Sequence, residues 1–176
     1  MKRLLLSIFT VLLLTVGTAW ADTLDDGYAA DKRGDYAEAL RWYRLAAAQG
    51  DARAQFNLGY MYHYGQDVTQ DYVEAVKWVR LAAAQGLAIA QNNLGTMYDK
   101  GQGVTQDYVR AHMWLNLSAV SGNADAVKNR DIVARKMTSQ PIAQAQMMAR
   151  DCQQKNFKGC EEAYAYYLSY WHVKFA

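Results

Sequence analysis

Two hydrophobic patterns alternate along the chain, and both have helical spacing. In "DYVEAVKWVRLAAAQG", which begins at Asp71, Ala75, Trp78, Leu81 and Ala82 recur at intervals that predict one buried stripe along a helix. Asp71 stands where it caps the first turn, and Glu74 is placed to reach back as in a capping box. Gly86 follows the last turn, where a left-handed residue ends a helix. In "ARAQFNLGYMYHYGQ", which begins at Ala52, Ala54, Leu58, Met61 and Tyr62 share a face. Gly59 lets a neighbouring helix approach closely, Gly65 closes the helix, and "QDVTQ" is the turn to the next one.

The patterns return at a fixed step: Asp35, Asp71 and Asp107 are 36 residues apart, and the stretches from Asp35 and Asp71 agree at roughly 25 of 36 positions. The third copy, "DYVRAHMWLNLSAVSG" from Asp107, agrees until about Gly122. A lone pair of amphipathic helices cannot bury its apolar face. Stacked pairs can, and each added pair needs the same contact residues in the same places. The expected fold is therefore all-α, an α/α superhelical solenoid of stacked antiparallel helix pairs.

The expected organisation is an N-terminal capping helix pair at 22–51, repeats at 52–86 and 87–122, C-terminal capping helices at 123–160 and an aromatic-rich tail at 161–176. Leu24 to Arg33 forms a short helix closed by Gly34 and joined directly to Asp35, without the longer turn. Beyond Gly122, Arg130 and Asp131 occupy the places of the repeat's Leu-Gly. Thr138 is placed to cap a last helix, with Pro141 in its first turn, where proline is tolerated.

Composition agrees with helix: the chain has 1 proline. Residues 1–21 stand apart. Lys2 and Arg3 precede an apolar run from Leu4 to Val16, too short to span a bilayer. Ala19-Trp20-Ala21 then offers a cleavage site between Ala21 and Asp22, the signature of a secretory signal peptide. The expected location is periplasmic or secreted, with no stable membrane insertion after cleavage. Removing Lys2 and Arg3 changes the charge balance from 19 basic and 17 acidic residues to 17 of each. A neutral mature chain has no electrostatic footprint for nucleic acid.

Catalytic chemistry is sparse. His63, His112 and His172 lie far apart, and the chain has no GxSxG, no HExxH and no phosphate-cradling glycine loop. Asp151, Glu161 and Glu162 are expected to be solvated charges. The expectation is no enzyme, no cofactor and no metal. The 2 cysteines, Cys152 and Cys160, are expected to pair in an oxidising compartment. In one straight helix they would stand about 12 Å apart, too far to bridge. Asn156 and Gly159 between them break the helix and let the chain fold back. The tail "EEAYAYYLSYWHVKFA" either packs on the last helices or stays loose.

Positions that differ between the copies mark a possible recognition surface. They include Arg53/Ile89, Phe56/Asn92, Tyr60/Thr96, His63/Asp99 and Tyr64/Lys100. Arg53, Phe56, Tyr60 and His63 follow one helical face, opposite the stripe of Ala54, Leu58 and Tyr62. Exposed Phe56, Tyr60 and Tyr64 fit a surface built for contact.

One family pattern joins these residues. Ala54, Leu58-Gly59, Tyr62, Gly65, Val68, Asp71, Ala75, Trp78, Ala82-Ala83 and Gly86 resemble the Sel-like repeat, a solenoid related to tetratricopeptide repeats. Ala90, Leu94-Gly95, Tyr98, Gly101, Gly103-Val104, Asp107, Ala111, Trp114 and Gly122 repeat the match. Asp67 replaces the second turn glycine, and Val79 and Leu115 replace the usual aromatic. The resemblance implies a concave groove that binds a protein or peptide, here through Arg53, Phe56, Tyr60, His63, Tyr64, Asn92, Thr96, Asp99 and Lys100. The function expected is an exported interaction scaffold or adaptor of a bacterial envelope. The alternative is a beta-lactam- or peptidoglycan-binding or -hydrolysing enzyme, as the family's cysteine-rich members suggest. Those members carry a cysteine pair in each repeat, and this chain does not. A cell-wall or lipid-surface adaptor acting through the tail is a further rival.

Overall fold

A computed structural model describes residues 23–161, and no strand occurs among them. The expected signal peptide, with its Ala21–Asp22 junction, and the tail beyond Glu161 lie outside the described residues. Among the described residues, helices follow one another along the chain. The first, α1, is described over 23–32. Then come α2 (Tyr36–Ala48), α3 (Ala52–Tyr64), α4 (Tyr72–Ala83), α5 (Ala88–Lys100), α6 (Tyr108–Val120), α7 (Ala124–Ala134) and α8 (Ser139–Gln154).

Short polar side chains start most of them. Asp35, Asp51, Asp107 and Asn123 each accept one backbone N–H of the first turn, and Asp71 accepts two, at 2.9 and 3.0 Å from Val73 and Glu74. Each such cap stabilises its helix by about 1 kcal/mol. The capping box is only half built. The Asp71 N–H donates to the Tyr62 carbonyl at 2.9 Å, and Glu74 turns instead to Lys77. The same link joins Asp107 to Tyr98 at 3.0 Å, so it belongs to the repeat. Leu87 and Thr138 sit at the cap positions of α5 and α8 without a side-chain bond. Gly65 and Gly101 end α3 and α5 in the left-handed conformation, at φ 70° and 68°. Asp67 adopts φ 53°, the geometry of the glycine it replaces.

The helices pack as successive antiparallel pairs, and the pairs stack. Glycine sets the closest approach within each pair. A β-carbon on Gly59 would lie 2.7 Å from Val79 Cγ2, and one on Gly95 would lie 2.7 Å from Leu115 Cγ. Gly27 stands in the same relation to Tyr43. Tyr43, Val79 and Leu115 are 36 residues apart, whereas Gly27 precedes Gly59 by only 32, because the first turn is shorter. Between pairs, the buried Gln55 and Gln91 each donate to the preceding helix end, to the Ala47 and Ala83 carbonyls, both at 3.2 Å.

The core is a column of alanines with Leu58, Leu94, Met61, Met97, Tyr98, Trp114 and Leu115 filling it. Burying each large apolar side chain contributes about 1.5–3 kcal/mol. One part of the expected stripe is wrong. On α4 the buried residues are Ala75, Val76, Val79, Ala82 and Ala83, Trp78 is half-buried, and Leu81 is 49% exposed. Its counterpart Leu45 is 47% exposed.

At the C-terminal end α8 packs on α6, and Cys152 is joined to Cys160 with Cα atoms 4.9 Å apart. The return is made at Asn156, Phe157 and Gly159, all with positive φ. Asn156 and Gly159 are the expected breakers, and Phe157 is an addition. Its ring lies over Gly86, where a β-carbon would come within 2.8 Å of it. This ties the disulfide loop to the end of the α4 segment.

Candidate functional site

The first helices of successive pairs, α3 and α5, lie side by side, and Val79 of α4 lies behind them. Between them runs a cleft of about 120 Å³. Tyr60, His63 and Tyr64 form one wall, and Asn93, Thr96, Met97 and Lys100 form the other. Pockets for drug-sized ligands are roughly 300–1,000 Å³, so this cleft suits one inserted side chain of a larger partner.

The aromatic wall is held in place. Tyr60 and Tyr64 are one turn apart on α3, and their ring centroids are 4.4 Å apart. They remain 42% and 57% exposed. His63 stands edge-on to Tyr64 and to Tyr72, at 4.7 and 4.9 Å. Gln70 Nε2 donates to the His63 carbonyl at 2.8 Å and so clamps the turn against the helix end. Burial, and then the Lys100 charge across the cleft, lower the His63 pKa and favour neutral imidazole. Burial raises the Tyr60 pKa, and nearby Tyr64 adds to this. The wall thus presents uncharged aromatic surface, with hydroxyls at its rim, opposite one ammonium. That combination suits an amphipathic side chain whose polar end meets Lys100.

The structure gathers five of the nine expected contact residues here: Tyr60, His63, Tyr64, Thr96 and Lys100. The other four are elsewhere. Phe56 is half-buried and packs against the core of the second repeat, so it is not the exposed aromatic expected of it. Arg53 is exposed but borders a separate hollow with Leu24, Asp51 and Leu87. Asn92 accepts from Asn129 of α7 at 3.0 Å, and Asp99 binds Lys136 Nζ at 2.6 Å. The segment of α7 and its following turn therefore covers the part of α5 that corresponds to the open face of α3. Asn93 and Met97 line the cleft but were not expected to. They match Asn57 and Met61 of the other copy, so a search for differing positions passes over them.

A second polar cluster forms at the other end of the described chain. Tyr98 Oη donates to Glu161 Oε2 at 2.8 Å, and Trp114 Nε1 donates to Oε1 at 3.0 Å. Arg80 and Arg110 flank the same carboxylate at 3.6 and 3.5 Å. Burial, and then the Glu161 charge, raise the Tyr98 pKa. Glu161 is thus a bound carboxylate rather than the solvated charge expected. Among the described residues no three His, Cys, Asp or Glu groups cluster as a metal site would need, and no helix is long and apolar enough to cross a membrane.

Comparison with known proteins places these features. The Sel1 repeat model matches residues 21–51, 52–87 and 88–123. No curated protein matches the chain significantly. Among solved structures, the chain is similar to c5321, a protective antigen present in uropathogenic Escherichia coli strains displaying an SLR fold. The two share 32% identity over 80% of this chain, with a TM-score of 0.75. The match spans only 31% of the length of c5321. The chain is also similar to a Sel1 repeat protein from Oxalobacter formigenes, at 32% identity over 71% of this chain and 97% of that one, with a TM-score of 0.61. The protein belongs to the Sel1 repeat family, a helical solenoid fold that generally mediates protein–protein interaction.

Proposed function

We propose that this protein is an exported interaction module of a bacterial envelope, and that it holds a protein or peptide partner in the cleft between α3 and α5. The observation that carries the reading is the Tyr60–Tyr64 pair. Both rings are exposed, they lie against each other at a tilt of 45° beside a cleft of one-residue size, and neither is needed by the packing pattern that the repeats share. Rigid aromatics at the edge of a small pocket are typical anchors of protein interfaces. The family's general role in protein–protein contact supports the same reading, and the protein acts without catalysis. Export rests on the Lys2-Arg3 start, the apolar run and the Ala19-Trp20-Ala21 site. The disulfide between Cys152 and Cys160 suits an oxidising compartment.

The test is photo-crosslinking in living cells from position 60, compared with position 81 on the exposed side of α4. The expected result is one dominant product from position 60 that is absent from position 81, in protein whose mass begins at Asp22. The same products from both positions would refute the cleft. A cytoplasmic protein retaining residues 1–21 would refute export.

A further inference from the structure

We propose that Arg44, Tyr62 and Trp78 form a second carboxylate-binding site, a repeat-related copy of the one that Glu161 fills, and that it receives an acidic side chain of a partner. The step of 36 residues carries Arg44 to Arg80, Tyr62 to Tyr98 and Trp78 to Trp114. In the filled copy, Arg80 Nη2 donates to Tyr98 Oη at 3.0 Å. That bond directs the tyrosine proton outward to Glu161, while Trp114 Nε1 donates to the other carboxylate oxygen. In the open copy, Arg44 Nη2 donates to Tyr62 Oη at 3.2 Å, which is the same priming bond. Arg44 is the partner of the Tyr62 hydroxyl, whose proton has no acceptor among the described residues, and Trp78 Nε1 is buried without an acceptor among the described residues. The two donors that Glu161 joins in one copy are therefore both vacant in the other.

The third tryptophan of the series shows the same preference. Trp42 Nε1 points at the Glu38 carboxylate, at 3.4 Å. Glu74 holds the place that corresponds to Glu38, but Lys77 draws it away at 2.7 Å. Glu74 also replaces Arg110, so the open site has one guanidinium where the filled site has two. The lysine offsets the Glu74 charge, and Arg44 supplies the remaining positive charge. A buried N–H without an acceptor carries a desolvation penalty, which an incoming carboxylate removes. Arg44 is exposed, and Tyr62 and Trp78 are half-buried, so an acidic side chain can approach this face; Trp78 Nε1 itself is shielded, so binding requires the side chains over it to shift. None of the three lines the α3–α5 cleft, so this site is separate from the one proposed above.

The probe is a blocked peptide with the sequence of residues 159–164 and serine in place of the cysteine. Its control carries glutamine at both glutamate positions. The protein is the full chain with nitrogen-labelled tryptophan, and the readout is each indole N–H resonance. The Trp78 resonance is expected to shift saturably with the acidic peptide and not with the control. Tyr62→Phe and Arg44→Gln should each weaken the response by about tenfold, the effect of losing one hydrogen bond to a charged acceptor. The Trp114 resonance should respond only in Glu161→Gln, which vacates the filled site. A Trp78 resonance that ignores the acidic peptide overturns the proposal. So does one that answers both peptides equally, or one unaffected by Tyr62→Phe.

Discussion

Adding a single methyl group at Gly95 should destabilise the stack, although alanine is the better helix former. The β-carbon would meet Leu115 Cγ at 2.7 Å and the Ala111 carbonyl oxygen at 3.0 Å. Carbon atoms in contact rest about 3.5–4.0 Å apart, so something must yield by roughly 1 Å. Leu115 is fully buried, and the carbonyl belongs to the backbone of α6. Overpacking of this kind costs about 1–3 kcal/mol. The gain in helix propensity returns about 1 kcal/mol. Gly95→Ala should thus lose about 1 kcal/mol net, and Gly95→Leu, with three more carbons to place, about 3 kcal/mol. For a chain of this size each kcal/mol lowers the melting temperature by roughly 2–4 °C. Circular dichroism melts of both variants measure this. A double-mutant cycle locates it: Leu115→Ala alone should cost about 2–5 kcal/mol. It should cost less in the Gly95→Ala background, because the clashing side chain is gone, with a coupling of about 0.5 kcal/mol or more. Gly95→Ala melting at or above the parent temperature, or strict additivity with Leu115→Ala, would refute the close-packing account.

Three further outcomes follow from the same structure. Leu58, which is 1% exposed, should cost about 2–5 kcal/mol when changed to alanine, and denaturant midpoints measure this. Cys152→Ser with Cys160→Ser should lower stability by at most about 3 kcal/mol, the chain-entropy value for a short loop, and amide exchange should rise mainly around α8. A thiol assay that finds free cysteines in native, unreduced protein would contradict the bond. Burial, and then the Arg130 charge, lower the His112 pKa below 6.5 in the fold, against a smaller upward pull from Asp131. The unfolded chain therefore binds the proton more readily. The His112 contribution to stability is complete above pH 6.5 and is lost as pH falls through the depressed value. His112→Gln should flatten the melting temperature between neutral and mildly acidic pH.

The pairing of helices was legible because the chain repeats itself. Asp71 with Asp107, and Gly59 with Gly95, announce caps and close contacts by recurring at one step. Recurrence was a poorer guide to burial. Leu45 and Leu81 are identical in the copies and both are exposed, whereas Val76 and Val79 replace Leu40 and Tyr43 and are buried. Any apolar residue of suitable volume satisfies a packed position, so identity and burial part company. The candidate face was half legible. Tyr60 and Tyr64 stand open because no helix among the described residues lies over them. Asn92 and Asp99, the counterparts of Phe56 and His63 on α5, are engaged by Asn129 and Lys136, from a segment without the repeat pattern. Glu161 was missed because its four partners lie on three helices, far away in sequence. Their signal was present all the same, in the recurrence of Arg, Tyr and Trp at 44, 62 and 78 and again at 80, 98 and 114.

The central claim, that the α3–α5 cleft holds the partner, is tested most directly by the affinity of Tyr60→Ala and Tyr64→Ala for the protein captured from position 60, measured beside their melting curves. Each substitution should weaken binding by more than about 1 kcal/mol, roughly fivefold in Kd, and leave melting within about 1 °C of the parent. Unchanged affinity, or variants that unfold while their folded fraction binds normally, would contradict it.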